Sequence, residues 1–130
     1  MRIEFGAYQV WSQTDHAILA GRVYESDIRL GDVFTWLVWV PWLPAPVSGS
    51  RLGAPTVTYE IGLRVEGIEA YQHSLDFLPS GMTGALKVTG SGLELLRVID
   101  PAAKDGEWLL KGESALEPAL RQTGQELTIH

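Results

Sequence analysis

The sequence has 130 residues, a formal net charge of −6 and no cysteine. This length fits one domain that buries its core without disulfides. The acidic charge disfavours generic binding to nucleic-acid backbones. The longest apolar run, residues 34–47, contains three prolines and is too short to span a bilayer. The composition therefore indicates a globular protein with no membrane segment, and the missing cysteines fit a cytoplasmic location.

The first 30 residues predict three short strands. Residues 1–13 mix apolar and polar residues as a strand does, and a polar turn follows at residues 13–16. Residues 17–25 predict the second strand. Residues 28–30 predict the third, which leads into a turn at Gly31-Asp32. This order is typical of a hairpin or a corner of a small β-barrel.

Residues 34–40, FTWLVWV, have the aromatic and β-branched composition of a strand. Alternation predicts two apolar faces, formed by Phe34, Trp36, Val38 and Val40 on one side and by Leu37 and Trp39 on the other. A strand that is apolar on both faces is buried on both, or a partner covers one of them. We therefore expect Trp36 in the core, whereas Trp39 fits a core position and a binding surface equally well.

Residues 41–55 contain four prolines and predict a long loop, and long loops in compact domains are often functional. Residues 57–65 then alternate strictly between apolar and polar, which predicts a strand with one solvated face. Further strands are expected at residues 68–77, 84–88, 93–99 and 108–110, with a glycine turn at residues 89–92 and a short helix at residues 114–122. Strands at this spacing are typical of a small barrel or sandwich.

Several segments together resemble the second domain of translation elongation factors such as elongation factor Tu. AGRV at residues 20–23, followed by LGDV at residues 30–33, is similar to the family pattern G-x-V-x-x-G-x-I-x-x-G-D. VEGIE at residues 65–69 and LPSGMTGALKV at residues 78–88 resemble the strands that follow it in the family. Gly90 and the segment 95–100 resemble the closing part of the pattern. The resemblance covers roughly residues 3–101.

The resemblance implies an all-β fold, a small closed Greek-key β-barrel of the translation-factor domain 2 kind. We expect this barrel at residues 1–101, with a short C-terminal extension at residues 102–130 packed on it. The chain contains no G-x-x-x-x-G-K-[ST] motif, so the family's GTPase domain is missing from it. The family's aminoacyl-tRNA contacts cannot be matched residue by residue, so the resemblance is carried over for the fold alone.

No motif predicts catalysis, a metal site or a cofactor. The three histidines, His16, His73 and His130, lie far apart, whereas structural metal sites need clustered ligands. Acidic residues such as Asp15 and Asp27 fall in predicted turns, where aspartate bonds the local backbone. No serine stands in a G-x-S-x-G elbow. These observations favour a protein that is not an enzyme.

The leading prediction is a non-enzymatic β-barrel that binds a macromolecule. Its binding residues would be Trp39, Trp42, Arg51 and Tyr59, because tryptophan near a loop is typical of interface hot spots. We expect a protein partner or self-association, and the acidic charge would also suit a basic partner.

Two alternatives remain open. One is a small-ligand binder or enzyme with a pocket at the barrel mouth, near Asp15, His16 and His73. The other is a translation-associated RNA-binding accessory protein, by analogy with the family. The net charge of −6 counts against this second alternative.

Overall fold

The computed structural model describes residues 2–42, 55–102 and 105–114, and strands make up 67% of it. The strands are β1 (Arg2–Ser12), β2 (Ala17–Glu25), β3 (Ile28–Arg29), β4 (Val33–Pro41), β5 (Val57–Ala70), β6 (His73–Ser74), β7 (Phe77–Leu78), β8 (Thr83–Ser91) and β9 (Gly106–Glu113). A short 3₁₀ helix, η1 (Leu93–Val98), lies between β8 and β9. The predicted all-β fold is confirmed.

Six antiparallel strands close into a barrel in the order β4-β9-β1-β2-β8-β5, and pairing of β5 with β4 completes the circle. β6 extends the sheet beyond β5, and β3 pairs with β7 in a separate two-stranded ribbon. β4, β5 and β8 are consecutive neighbours, and β9 returns to lie beside β4. This arrangement is a Greek key, as predicted.

The barrel interior is filled by apolar side chains that alternate with outward residues along each strand. Phe5, Leu19, Phe34, Leu63 and Leu86 are fully buried there. The strict alternation that predicted a strand at residues 57–65 corresponds to β5. The alternation of β5 shifts once, at an irregularity between Val65 and Gly67.

A β-bulge in β4 overturns the prediction that Trp36 is a core residue. Phe34 pairs with Gly112 of β9 and Trp36 pairs with Lys111, so Thr35 is an extra residue in β4. An extra residue moves the following side chains to the other face. Phe34 and Leu37 both point into the barrel, and Trp36 is therefore exposed on the outside.

The structure also corrects the segment after β8, which was predicted as a glycine turn followed by a strand. β8 continues through Ser91, and Gly92, with φ 94°, begins η1. Leu96 and Ile99 are buried in the barrel core, and Leu93 packs against it. Their spacing of three residues matches the 3₁₀ repeat. The glycines before this segment predicted a hairpin turn instead, with a strand after it.

The predicted turn at Gly31-Asp32 is present. Gly31 has φ 89°, and the Asp32 amide donates to the carbonyl of Arg29 at 3.1 Å. The predicted strand at residues 68–77, in contrast, is divided. β5 ends at Ala70, and a turn with positive φ at Tyr71 and Gln72 leads into β6.

The barrel extends past residue 101, because β9 pairs with β1 on one side and with β4 on the other. Residues 106–113 are thus the sixth barrel strand, and they include the strand predicted at residues 108–110. The helix predicted at residues 114–122 lies outside the described residues beyond Ser114, as do the remaining residues of the predicted extension.

Candidate binding surface

Beyond the bulge, every second residue of β4 faces the outside of the barrel. These residues, with Trp42 directly after the strand, are Trp36, Val38, Val40 and Trp42, which we call the outer stripe. Trp36 is 45% exposed and Trp42 is 47% exposed, whereas Val38 and Val40 are each 4% exposed. The amide of Trp42 donates to the carbonyl of Asp105 at 2.9 Å, so the pairing with the β9 side continues to the end of the stripe.

The two valines of the outer stripe belong to a second hydrophobic cluster, separate from the barrel core. They pack with Leu109 of β9, and the ring of Tyr24 from β2 packs against them. The Tyr24 hydroxyl donates to Glu107 Oε2 at 2.9 Å, which ties β2 to β9 across β1. The exposed tryptophans therefore flank a packed cluster of side chains from β4, β9 and β2.

An inner aromatic cluster lies on the opposite face of the same strands. Trp39 lies against Trp108 of β9 with ring centroids 5.3 Å apart, and Tyr59 of β5 stacks on Trp108 at 6.1 Å. Tyr59 and Trp108 pack against the barrel core, and all three rings are partly buried. Aromatic pairs of this geometry stabilise by about 0.5–1.5 kcal/mol beyond their buried area.

The structure brings together two of the four predicted binding residues. Trp39 and Tyr59 meet through Trp108, and Trp42 lies on the outer stripe a few residues away along the chain. Arg51 lies outside the described residues. Sequence reasoning did not include Trp36 in the surface, because the bulge at Thr35 has no clear sequence signal.

The residues of the predicted barrel-mouth pocket do not come together. The turn that holds Asp15 and His16 precedes Ala17, which pairs with Val88 near the end of β8. His73 pairs with Ala70 at the end of β5. The residue before Ala70, Glu69, pairs with Ala85 near the start of β8. The two groups thus lie at opposite ends of β8 and cannot form one active site.

Asp15 and His16 form a local side-chain hydrogen bond in the β1–β2 turn. His16 Nδ1 lies 2.8 Å from Asp15 Oδ1. This hydrogen bond, helped by one from the backbone of Asp15, lowers the pKa of the Asp15 carboxyl below its ordinary value of 3.8. Asp15 is exposed, so the pair stabilises a turn and leaves the core unaffected.

The described residues include no group of three or more histidine, aspartate or glutamate side chains placed to hold a metal ion. In the same part of the chain, no helix has the length and apolar character needed to cross a membrane.

Comparison with solved structures identifies barrels of the same fold. The chain is similar to translation elongation factor SelB from Methanococcus maripaludis, both in its apo form and in complex with the GTP analogue GppNHp. Each comparison gives a TM-score of 0.53 at 10% sequence identity and covers 85% of this chain. The chain therefore shares its fold with a part of this elongation factor, as the resemblance in the sequence implied.

The matched region is 19% of each SelB chain, so this chain corresponds to about a fifth of the factor it resembles. At 10% identity the likeness concerns the fold alone. No protein-family model matches the sequence. No curated protein matches it either.

Proposed function

We propose that this chain is a non-enzymatic barrel module of the cytoplasm that binds a protein partner through the outer stripe. The observation that carries the proposal is the pair of nearly half-exposed tryptophans, Trp36 and Trp42, on one face of one strand. Tryptophan is enriched at interface hot spots, because it buries a large area with few rotatable bonds. Trp39, Tyr59 and Arg51 remain predicted binding residues, but Trp39 and Tyr59 lie on the opposite face of the strands and are not part of the outer stripe.

The packing of the stripe against β9 also favours the proposal. Val38 and Val40 of the stripe pack with Leu109 and hold β4 against β9, so little conformational freedom would be lost when a partner binds. A preformed surface of this kind suits recognition of a folded protein or a second copy of the chain.

The test is a double variant, Trp36→Ala with Trp42→Ala, compared with the unchanged protein in sedimentation velocity and in quantitative capture of partners from native lysate. We expect the melting temperature to change little and the association to weaken at least tenfold, the scale of a hot-spot pair. Trp11→Ala is the matched control, because Trp11 is 48% exposed and lies on β1, outside the stripe. Equal effects of the double variant and the control would contradict the proposal.

A translation-associated role that involves RNA is a second candidate, and the fold likeness to SelB favours it. The net charge of −6 weighs against it, because phosphate contacts depend on clustered cations. Titration of the protein with total transfer RNA at low and at physiological salt separates the two candidates. Binding that persists at physiological salt would favour RNA over a protein partner.

A further inference from the structure

Gly6 leaves a gap in the outer face of the barrel, between β9 and β2. It pairs with Leu109 of β9 on one side and with Arg22 of β2 on the other. A Cβ at Gly6 would lie 2.5 Å from Cε2 of Tyr24 and 2.6 Å from Oε1 of Glu107. The space above Gly6 is therefore already filled by these two side chains, which reach over β1 from β2 and from β9.

The ring of Tyr24 crosses the outer face diagonally. Tyr24 pairs with Glu4 of β1, and Glu4 pairs in turn with Lys111 of β9. The Tyr24 hydroxyl nevertheless donates to Oε2 of Glu107, nearer the start of β9, at 2.9 Å. A hydrogen bond to a carboxylate is stronger than one between neutral groups. This bond and the gap at Gly6 together set the direction of the ring.

The ring that is held in this way reaches the buried valines of the outer stripe. Tyr24 packs against the cluster of Val38, Val40 and Leu109, whose members are between 1% and 4% exposed. The two valines lie between the exposed tryptophans on the outward side of β4. Because successive outward residues share one strand backbone, the packing of the valines also fixes how the tryptophans stand on it.

We propose that Tyr24, held over Gly6 by Glu107, is a positioning residue for the outer stripe. It keeps Val38 and Val40 in one arrangement, so that both exposed tryptophans are presented together to a protein partner. A surface that is already ordered loses less freedom on binding and binds more tightly. The inference rests on the proposed function and assigns to it a residue that lies outside the stripe.

The first test compares the full chain and its Tyr24→Phe variant, both labelled with 5-fluorotryptophan. We expect the ¹⁹F signals of the two stripe tryptophans to shift or broaden, because a ring without its hydroxyl is no longer held. The signal of Trp11, which lies on β1, should stay unchanged. Tyr8→Phe is the matched control, because it removes the hydroxyl of a tyrosine that is 48% exposed on β1, and it should leave the stripe signals unchanged.

Two further variants separate the direction of the ring from the chemistry of Tyr24. Gly6→Ala should reproduce the ¹⁹F changes, because its Cβ displaces the ring while both hydrogen-bonding groups remain. The atoms that this Cβ would meet are the ends of movable side chains, so the barrel should still fold. Glu107→Gln keeps an acceptor for the hydroxyl and should leave the stripe signals close to those of the unchanged protein.

A double-mutant cycle of Tyr24→Phe and Glu107→Ala then measures the effect on association, by the sedimentation and capture experiments that test the outer stripe. Each single variant should weaken association about twofold to fivefold, the net worth of one hydrogen bond. The double variant should be no weaker than the weaker single variant, because either change breaks the same bond. Each residue also has other interactions, and the cycle cancels their contribution.

Unchanged ¹⁹F signals of the stripe tryptophans in both Tyr24→Phe and Gly6→Ala would overturn the inference, as would strictly additive losses of association in the cycle. If these signals stay unchanged while Trp36→Ala with Trp42→Ala still loses association, only this inference falls. If the signals change while that double tryptophan variant keeps full association, Tyr24 positions the stripe and the proposed function falls instead.

Discussion

The two faces of β4 are both apolar in sequence, yet they have different roles in the structure. Phe34 and Leu37 point inward and are fully buried in the barrel core. Trp36 and Trp42 point outward and are nearly half exposed, with two buried valines between them. One extra residue, Thr35, decides which aromatic side chain belongs to which face. The comparison shows that hydrophobicity alone does not assign a residue to the core when a bulge shifts the alternation.

The largest effect is expected at the inward face. Phe34→Ala should lower the free energy of unfolding by about 3–5 kcal/mol, because it leaves a cavity among fully buried side chains. Urea denaturation of the variant beside the unchanged protein measures this loss. A loss below about 1 kcal/mol would mean that Phe34 is not a core residue and that the inner and outer faces of β4 are assigned the wrong way round.

The next effect concerns the close pairing of β9 with β4. Gly112→Ala should cost roughly 1–3 kcal/mol, because the new Cβ would lie 2.0 Å from the carbonyl oxygen of Val33. Gly67→Ala is the matched control, since its nearest contact would be an ordinary 3.4 Å from the Cβ of Lys87. Thermal melts of the two variants should therefore differ clearly, and equal melting temperatures would argue against the tight approach at Gly112.

The outward face should respond weakly. Trp36→Ala should lower the free energy of unfolding by about 1 kcal/mol at most, because nearly half of the side chain is already in water. The same urea experiment measures it beside Phe34→Ala. A loss as large as that of Phe34→Ala would show that Trp36 is a core residue and that the outer stripe is not an exposed surface.

The smallest effect lies in the β1–β2 turn, remote from β4. The pKa of Asp15 is lowered by His16, so this pair stabilises the folded state above the ordinary carboxyl pKa of 3.8 and ceases to do so as the pH falls through the lowered value. His16→Ala should bring the Asp15 pKa back toward 3.8, as read by NMR titration of its carboxyl carbon. The Asp15 carboxyl should titrate in Trp36→Ala as it does in the unchanged protein. A different Asp15 pKa in Trp36→Ala would show that the substitution disturbs the structure beyond the outer stripe.

Much of the fold could be predicted from the sequence, because local signals and tertiary structure agree there. The alternation in residues 57–65 predicted β5, and Gly31-Asp32 predicted the turn before β4. The order of glycines and apolar residues also resembled the translation-factor barrel, whose fold the comparison with SelB confirms. In the first two cases one short stretch of chain carries the complete signal, and in the third the signal is the order of several such stretches.

The errors arose where the signal depends on a neighbouring strand. The irregularity at Thr35 is defined by the pairing of β4 with its neighbours β5 and β9, so the sequence of β4 could not reveal it. The strand predicted at residues 93–99 is η1, whose Leu96 is buried because η1 packs against β1 and β5. Trp108 joins Trp39 and Tyr59 only because β9 lies beside β4, a pairing far apart in sequence.

The central claim is that Trp36 and Trp42 are exposed on the outside of the barrel while Trp39 faces inward. The five tryptophans allow a direct measurement with 5-fluorotryptophan, one ¹⁹F signal for each residue, assigned by single Trp→Phe substitutions. A soluble nitroxide should broaden the signals of Trp11, Trp36 and Trp42 strongly and those of Trp39 and Trp108 much less. A protected Trp36 beside a broadened Trp39 would contradict the account, because β4 would then present the opposite face to solvent.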